Sequence, residues 1–156
     1  MSSPITPEGF ERLSAELKRL KNEDRHAISR AIEEARAHGD LKENAEYHAA
    51  KDKQGLTEAR IRQLEGALGE AQVMDPKRQP PGKVGFGAHV SVVDLETEKE
   101  ATYQIVGEYE SDLDEGRISI KSPIARALMG KELGDDVAFK TPKGERELEI
   151  TAISYQ

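Results

Sequence analysis

The sequence contains no cysteine, so disulfides and thiolate metal sites are excluded and a reducing compartment is compatible with it. Aromatic residues make up only 4 % of the chain, which leaves little material for large apolar cores. There is no long apolar run, so no membrane-spanning helix is expected. The opening MSSPITPEGF has neither a basic start nor an apolar core. No secretory signal is expected from it, and the cytoplasm is the expected location. Positive charge is in deficit, with 23 Lys+Arg against 30 Asp+Glu and a net charge of −7. Such a chain does not hold bare duplex DNA by bulk electrostatics, and independent duplex binding is not expected. Proline is missing between Pro7 and Pro76, so nothing in that span forces a helix to stop.

What is present is charge and periodicity. Charged residues are 34 % of 156, which points to a helix-rich, well-solvated protein of one ordinary or two small domains. In the first half, apolar residues recur at three and four: Leu13, Leu17, Leu20, Ile28, Ile32 and Ala35, then Leu56, Ala59 or Arg60, Leu64, Ala67 or Leu68, and Ala71. This spacing predicts two amphipathic helices, each about 30 residues and on the order of 45 Å long. Thr6 followed by Pro7 reads as the start of the first. Each stripe is too narrow to be buried alone, and the connection is short, so the helices pair as an antiparallel hairpin. Alanines replace leucines towards the turn (Ala35, Ala45, Ala49, Ala50), which predicts a seam held mostly at its base.

DPKRQPPG, residues 75–82, ends the helical pattern. Beyond it the period becomes two. AHVSVVDL, ATYQIVGEY, GRISIKS, DDVAFK and RELEITAISY read as strands, and Thr141 to Gly144 as a turn between the last two. SPIARALMGK reads as one short helix, with Ser122 as N-cap, Pro123 in the first helical position and Gly130 at the end. The fold class expected is therefore α+β: a helical hairpin over 1–75 with its tip at 39–44, a linker over 76–82, and an antiparallel sheet domain with one helix over 83–156.

The stretch HGDLKENAEYHAAKDKQG puts Gly39, Asp40 and Glu43 where the two helices meet. One reading is structural. Asp40 and Glu43 have capping-box spacing, and Gly39 suits a left-handed end to the first helix. The other is chemical. Two carboxylates on one helical turn suit a hard cation such as Mg²⁺, but are too few for a complete site, so the remaining ligands have to come from a partner. His26, His38, His48 and His89 lack metal-ligand spacing and read as surface residues. The acidic run Glu108, Glu110, Asp112, Asp114 and Glu115 reads as a solvated loop. Arg36, Lys51 and Lys53 flank the tip, and a solvated helix face is the plain account of them.

HGDLKENAEYHAAKDKQG closely resembles the tip motif of the bacterial GreA/GreB transcript cleavage factors. SPIARALMGKELGDDV and FGAHVSVVDLETEKEATYQIVG resemble the C-terminal part of the same family, so the likeness covers essentially the whole chain. It implies an N-terminal antiparallel coiled coil and a C-terminal FKBP-like domain that docks on bacterial RNA polymerase at the secondary channel. The coiled coil then carries its tip to the polymerase active site, where a backtracked complex extrudes its RNA 3′ end. By position, Asp40 and Glu43 are the functional acids, assisting a second Mg²⁺ and water at the polymerase centre, with no cofactor bound to the chain alone. Arg36 and Lys51 would face the extruded RNA, and Ser122, Pro123, Ile124 and Arg126 would lie in the docking segment. The factor is expected to be monomeric and to have no complete active site of its own. Three alternatives stand beside this: a channel-binding inhibitor without cleavage stimulation, a peptidyl-prolyl isomerase, which needs an aromatic-lined pocket, and a purely structural coiled-coil adaptor, in which Asp40 matters only through stability.

Overall fold

The computed structural model describes residues 2–40, 43–78 and 82–155. The chain divides into two compact units, Glu11–Glu70 and Met1–Phe10 together with Ala71–Gln156.

The first unit is the hairpin. Its first arm runs without a break through α1 (Pro7–Arg19), whose opening turn belongs to the other unit, a π-helical turn (Leu20–Asp24) and α2 (Arg25–Arg36). The returning arm is α3 (Ala45–Glu70). The π turn has a cause in the stripe. Leu20 and Ile28, the next buried residue, are eight apart, and at 3.6 residues per turn eight residues overshoot two turns by about 80°. A wider turn, in which the Arg25 N–H reaches the Leu20 carbonyl, absorbs the extra residue. Ile28 and Ala35 therefore stay on the buried face begun by Leu13 and Leu20.

On α3 the buried residues are Ile61, Leu64 and Ala67, with Tyr47, Ala50, Gln54 and Thr57 half-buried on the same stripe. This corrects the expected phase. Leu56 is 75 % exposed, because polar Gln54 and Thr57 occupy the seam positions on either side of it. Ion pairs run between the arms. Arg60 holds Glu16 with Nε–Oε1 at 2.8 Å and Nη2–Oε2 at 3.0 Å. Arg25 holds Glu58 with Nε–Oε2 at 2.9 Å and Nη2–Oε1 at 2.8 Å. The guanidinium beside each carboxylate lowers its pKa from the ordinary value.

The second unit is a five-stranded sheet in the order β5-β4-β3-β7-β6, from β3 (His89–Asp94), β4 (Glu100–Val106), β5 (Arg117–Ser119), β6 (Asp136–Thr141) and β7 (Gly144–Ser154). All five expected strands are present, but the sheet is mixed. β4 and β5 are parallel, with Ile105 opposite Ile118. The chain between them winds through two short 3₁₀ turns, Glu108–Glu110 and Leu113–Glu115, and re-enters in the same direction instead of closing a hairpin. Val90 and Val92 alternate inward on β3 and meet Ile105, Ile118, Leu148 and Ile150. α4 (Pro123–Leu128) covers that face with Ala125 and Leu128.

A further element was not anticipated from the sequence. β1 (Ser3–Ile5) lies parallel to β2 (Ala71–Val73), so both ends of the helical stretch enter the sheet unit. The proline segment at 76–82 lies within the sequence of this unit; its residues 79–81 fall outside the described ones.

Candidate functional site: the hairpin tip

α2 ends in tightening turns. The Ala37 N–H reaches the Glu33 carbonyl at 3.2 Å, His38 reaches Ala35 at 3.2 Å and Gly39 reaches Arg36 at 3.4 Å. Gly39 then takes φ +114°, a backbone angle that a side chain resists. α3 begins only at Ala45, and its cap is Asn44, whose Oδ1 accepts from the Tyr47 N–H at 3.0 Å.

This corrects the capping-box reading. Asp40 and Glu43 are not on a first helical turn; they precede the helix, exposed, in the connecting loop. The intervening residues 41 and 42 lie outside the described residues. His38, Asp40, Glu43, Asn44, Ala45 and Glu46 together line an open hollow at the tip. Among the described residues no group of three or more His, Asp or Glu converges to hold a metal ion. The donor set is two carboxylates, hard oxygen ligands that suit Mg²⁺ as part of a shell and fall short of a whole one.

The basic flank sits just behind the loop. Arg36 closes α2, with its guanidinium carbon 6.0 Å from the Tyr47 ring centroid. Lys51 lies on α3 and its Nζ donates to Gln54 Oε1 at 3.0 Å. Both are exposed.

The four residues of the expected docking segment separate by role. Ser122 is the N-cap of α4, its Oγ accepting from the Ala125 N–H at 3.3 Å and donating to the Ser119 carbonyl at 2.6 Å. Ile124 is half-buried against the core. Pro123 and Arg126 are exposed.

Two features escaped the sequence reading. Asn44 is one; an asparagine three residues before Tyr47 was a legible cap, masked by the better-known spacing of Asp40 and Glu43. The other is Glu110. The acidic run around it was expected to be solvated, yet Glu110 is only 5 % exposed. Its carboxylate accepts from the Thr6 N–H at 3.0 Å, from the Thr6 hydroxyl, and from the Gly107 N–H at 2.7 Å. A Cβ on Gly9 would fall 1.8 Å from Glu110 Oε1, and one on Gly107 would fall 2.3 Å from the Pro4 carbonyl oxygen. Both glycines are thus required by close approach, a long-range fact that no local pattern carries.

The chain thus carries a helical hairpin with an acidic loop at its end and a separate mixed-sheet unit, a two-part α+β protein. The chain belongs to the GreA/GreB family of transcription elongation factors: residues 3–73 match the family described as "Transcription elongation factor, N-terminal", and residues 79–155 match "Transcription elongation factor, GreA/GreB, C-term". It is 56 % identical over 152 residues to transcription elongation factor GreA of Jannaschia sp. (strain CCS1), covering 97 % of each chain. It is 54 % identical over 154 residues to GreA of Thioalkalivibrio sulfidiphilus (strain HL-EbGR7), covering 98 % of each. Among solved structures it is similar to GreA factor homolog 1 of Thermus thermophilus, with 31 % identity, 99 % of each chain covered and a TM-score of 0.45.

Proposed function

We propose that this transcription elongation factor binds bacterial RNA polymerase at the secondary channel and stimulates the polymerase's own cleavage of nascent RNA in backtracked, arrested complexes. The observation that carries this reading is the pair of exposed carboxylates, Asp40 and Glu43, around an open hollow at the end of the hairpin. A helix cap does not account for them, because Asn44 already fills that role. Hydrolysis of a phosphodiester by two Mg²⁺ ions activates the attacking water at one ion and stabilises the leaving oxygen at the other. Asp40 and Glu43 would offer hard oxygen donors to the water-side ion and would orient its water, and the polymerase would supply the remaining ligands. The chain thus contributes side chains to a site it does not complete, and is inert alone.

Arg36 and Lys51 hold phosphates of the extruded RNA by charge. Pro123 and Arg126 present the outer face of α4 to polymerase, positioned by the Ser122 cap and by Ile124 against the core. The factor acts as a monomer.

The test adds the protein to a stalled, backtracked elongation complex carrying labelled RNA and Mg²⁺. Shortened RNA that extends again when nucleotides are supplied is the expected result. Slowed synthesis with no shortened RNA would instead identify a channel-blocking inhibitor.

A further inference from the structure

One polar side chain at the tip is bonded to both arms. Asn44 Nδ2 donates to the carbonyl of Ala35 near the end of α2, while its Oδ1 accepts from the Tyr47 N–H in the first turn of α3. Capping α3 requires only the second bond. The first goes to a carbonyl that already accepts from the His38 N–H, so the helix end does not require it; what it does is tie together the two ends of the loop that carries Asp40 and Glu43. Asn44 also lines the same hollow as those carboxylates. Apolar packing is thin here: Ala35 is buried, but Ala45 and Ala49 are exposed. Methyl groups bury little area, so polar ties carry much of the loop's definition.

We infer that Asn44 is a positioning residue: its bond across the loop to Ala35 holds Asp40 and Glu43 in a common presentation. The inference rests on the proposed role of those carboxylates and adds the device that orders them. Groups that must meet a reacting centre lose effectiveness steeply when displaced, even with their chemistry intact. Serine separates this role from capping. It is as good an N-cap as asparagine, but it is shorter and has a single polar atom, so it cannot also span to Ala35.

The experiment compares the parent, N44S and D40N. It measures thermal melting, amide ¹⁵N relaxation of His38, Gly39, Asp40 and Glu43, and cleavage of labelled RNA in backtracked complexes as a function of factor concentration. For N44S the melting temperature and half-saturating concentration are expected to stay at parent values. The cleavage rate at saturation is expected to fall about fivefold or more, and the order parameters of His38, Gly39, Asp40 and Glu43 to fall with it. If D40N cleaves at the parent rate, the role of the carboxylates fails and the positioning role fails with it. If D40N is impaired while N44S reaches the parent plateau, only the inference about Asn44 is overturned. If N44S melts lower or needs more factor yet reaches the parent plateau, Asn44 is a helix cap and nothing more.

Discussion

At the residue scale, the question posed by Asp40 and Glu43 is whether they act through folding or through chemistry. Because Asn44 caps α3, substitutions at Asp40 and Glu43 leave the helix start intact. D40N and E43Q are therefore expected to change stability by no more than about 0.5 kcal/mol, the usual range for exposed sites. Each removes a negative charge that a hard cation prefers. Stimulated cleavage is expected to drop at least about tenfold, or roughly 1.4 kcal/mol of transition-state stabilisation. Added Mg²⁺ is expected to restore part of it. Cleavage assays at limiting and high Mg²⁺ check this, and parent rates from both variants at limiting Mg²⁺ would remove the carboxylates from the mechanism. The basic flank makes a separate claim. A double variant, R36A with K51A, is expected to weaken crosslinking to the extruded RNA 3′ segment, with the difference shrinking as salt rises. Crosslinking equal to the parent's at low salt would return both residues to a solvated helix face.

At the element scale, the hairpin combines a thin apolar seam with ion pairs that bridge its arms. Glu16 and Glu58 both have their pKa lowered from the ordinary 4.5 by a hydrogen bond from an arginine on the opposite arm. The folded state thus binds protons less readily than the unfolded chain. The stabilisation is complete above the unfolded value near 4.5 and is lost as pH falls through the lower folded values. Helicity at 222 nm is expected to be flat from pH 7 to about 5 and then to decline. A variant carrying E16Q and E58Q is expected to be less stable at neutral pH and to show a shallower decline. An equally steep decline in that variant would place the acid sensitivity elsewhere. The sequence announced both helices because their period is local. It misplaced the seam on α3 because Leu56 is the larger hydrophobe, while packing opposite the first arm selects Gln54 and Thr57. The five strands were legible from alternation. The parallel pairing of β4 with β5 was not, because it depends on how the 3₁₀ turns return the chain.

At the scale of the whole chain, the division into units is set by contacts that local patterns do not carry. The prolines at 76, 80 and 81 suggest a boundary, and the likeness to the family is split close by, at residues 73 and 79. The sheet unit nonetheless includes the first ten residues, which reach it through β1 against β2 and through Thr6 against Glu110. A buried carboxylate left without these donors loses hydrogen bonds that water replaces only if the site opens. A C-terminal fragment of residues 83–156 is therefore expected to retain the sheet and compete with the full chain for polymerase, since α4 and its outer face are intact. It is also expected to melt below the sheet transition of the full chain. T6A in the full chain isolates the cause. It removes the hydroxyl that donates to Glu110 and accepts from the Gly9 N–H at 3.0 Å, and is expected to cost roughly 1–3 kcal/mol in the sheet transition. The hairpin ion pairs, which lie wholly within Glu11–Glu70, are untouched by it. Calorimetry with amide exchange resolved by segment checks both variants. If 83–156 melts with the full-chain sheet and T6A protects Val90, Ile105 and Ile150 as the parent does, the N-terminal strand is an appendage and the proline segment is the true boundary. If the fragment is folded but fails to compete for polymerase, the docking surface extends beyond α4 into residues that the fragment lacks.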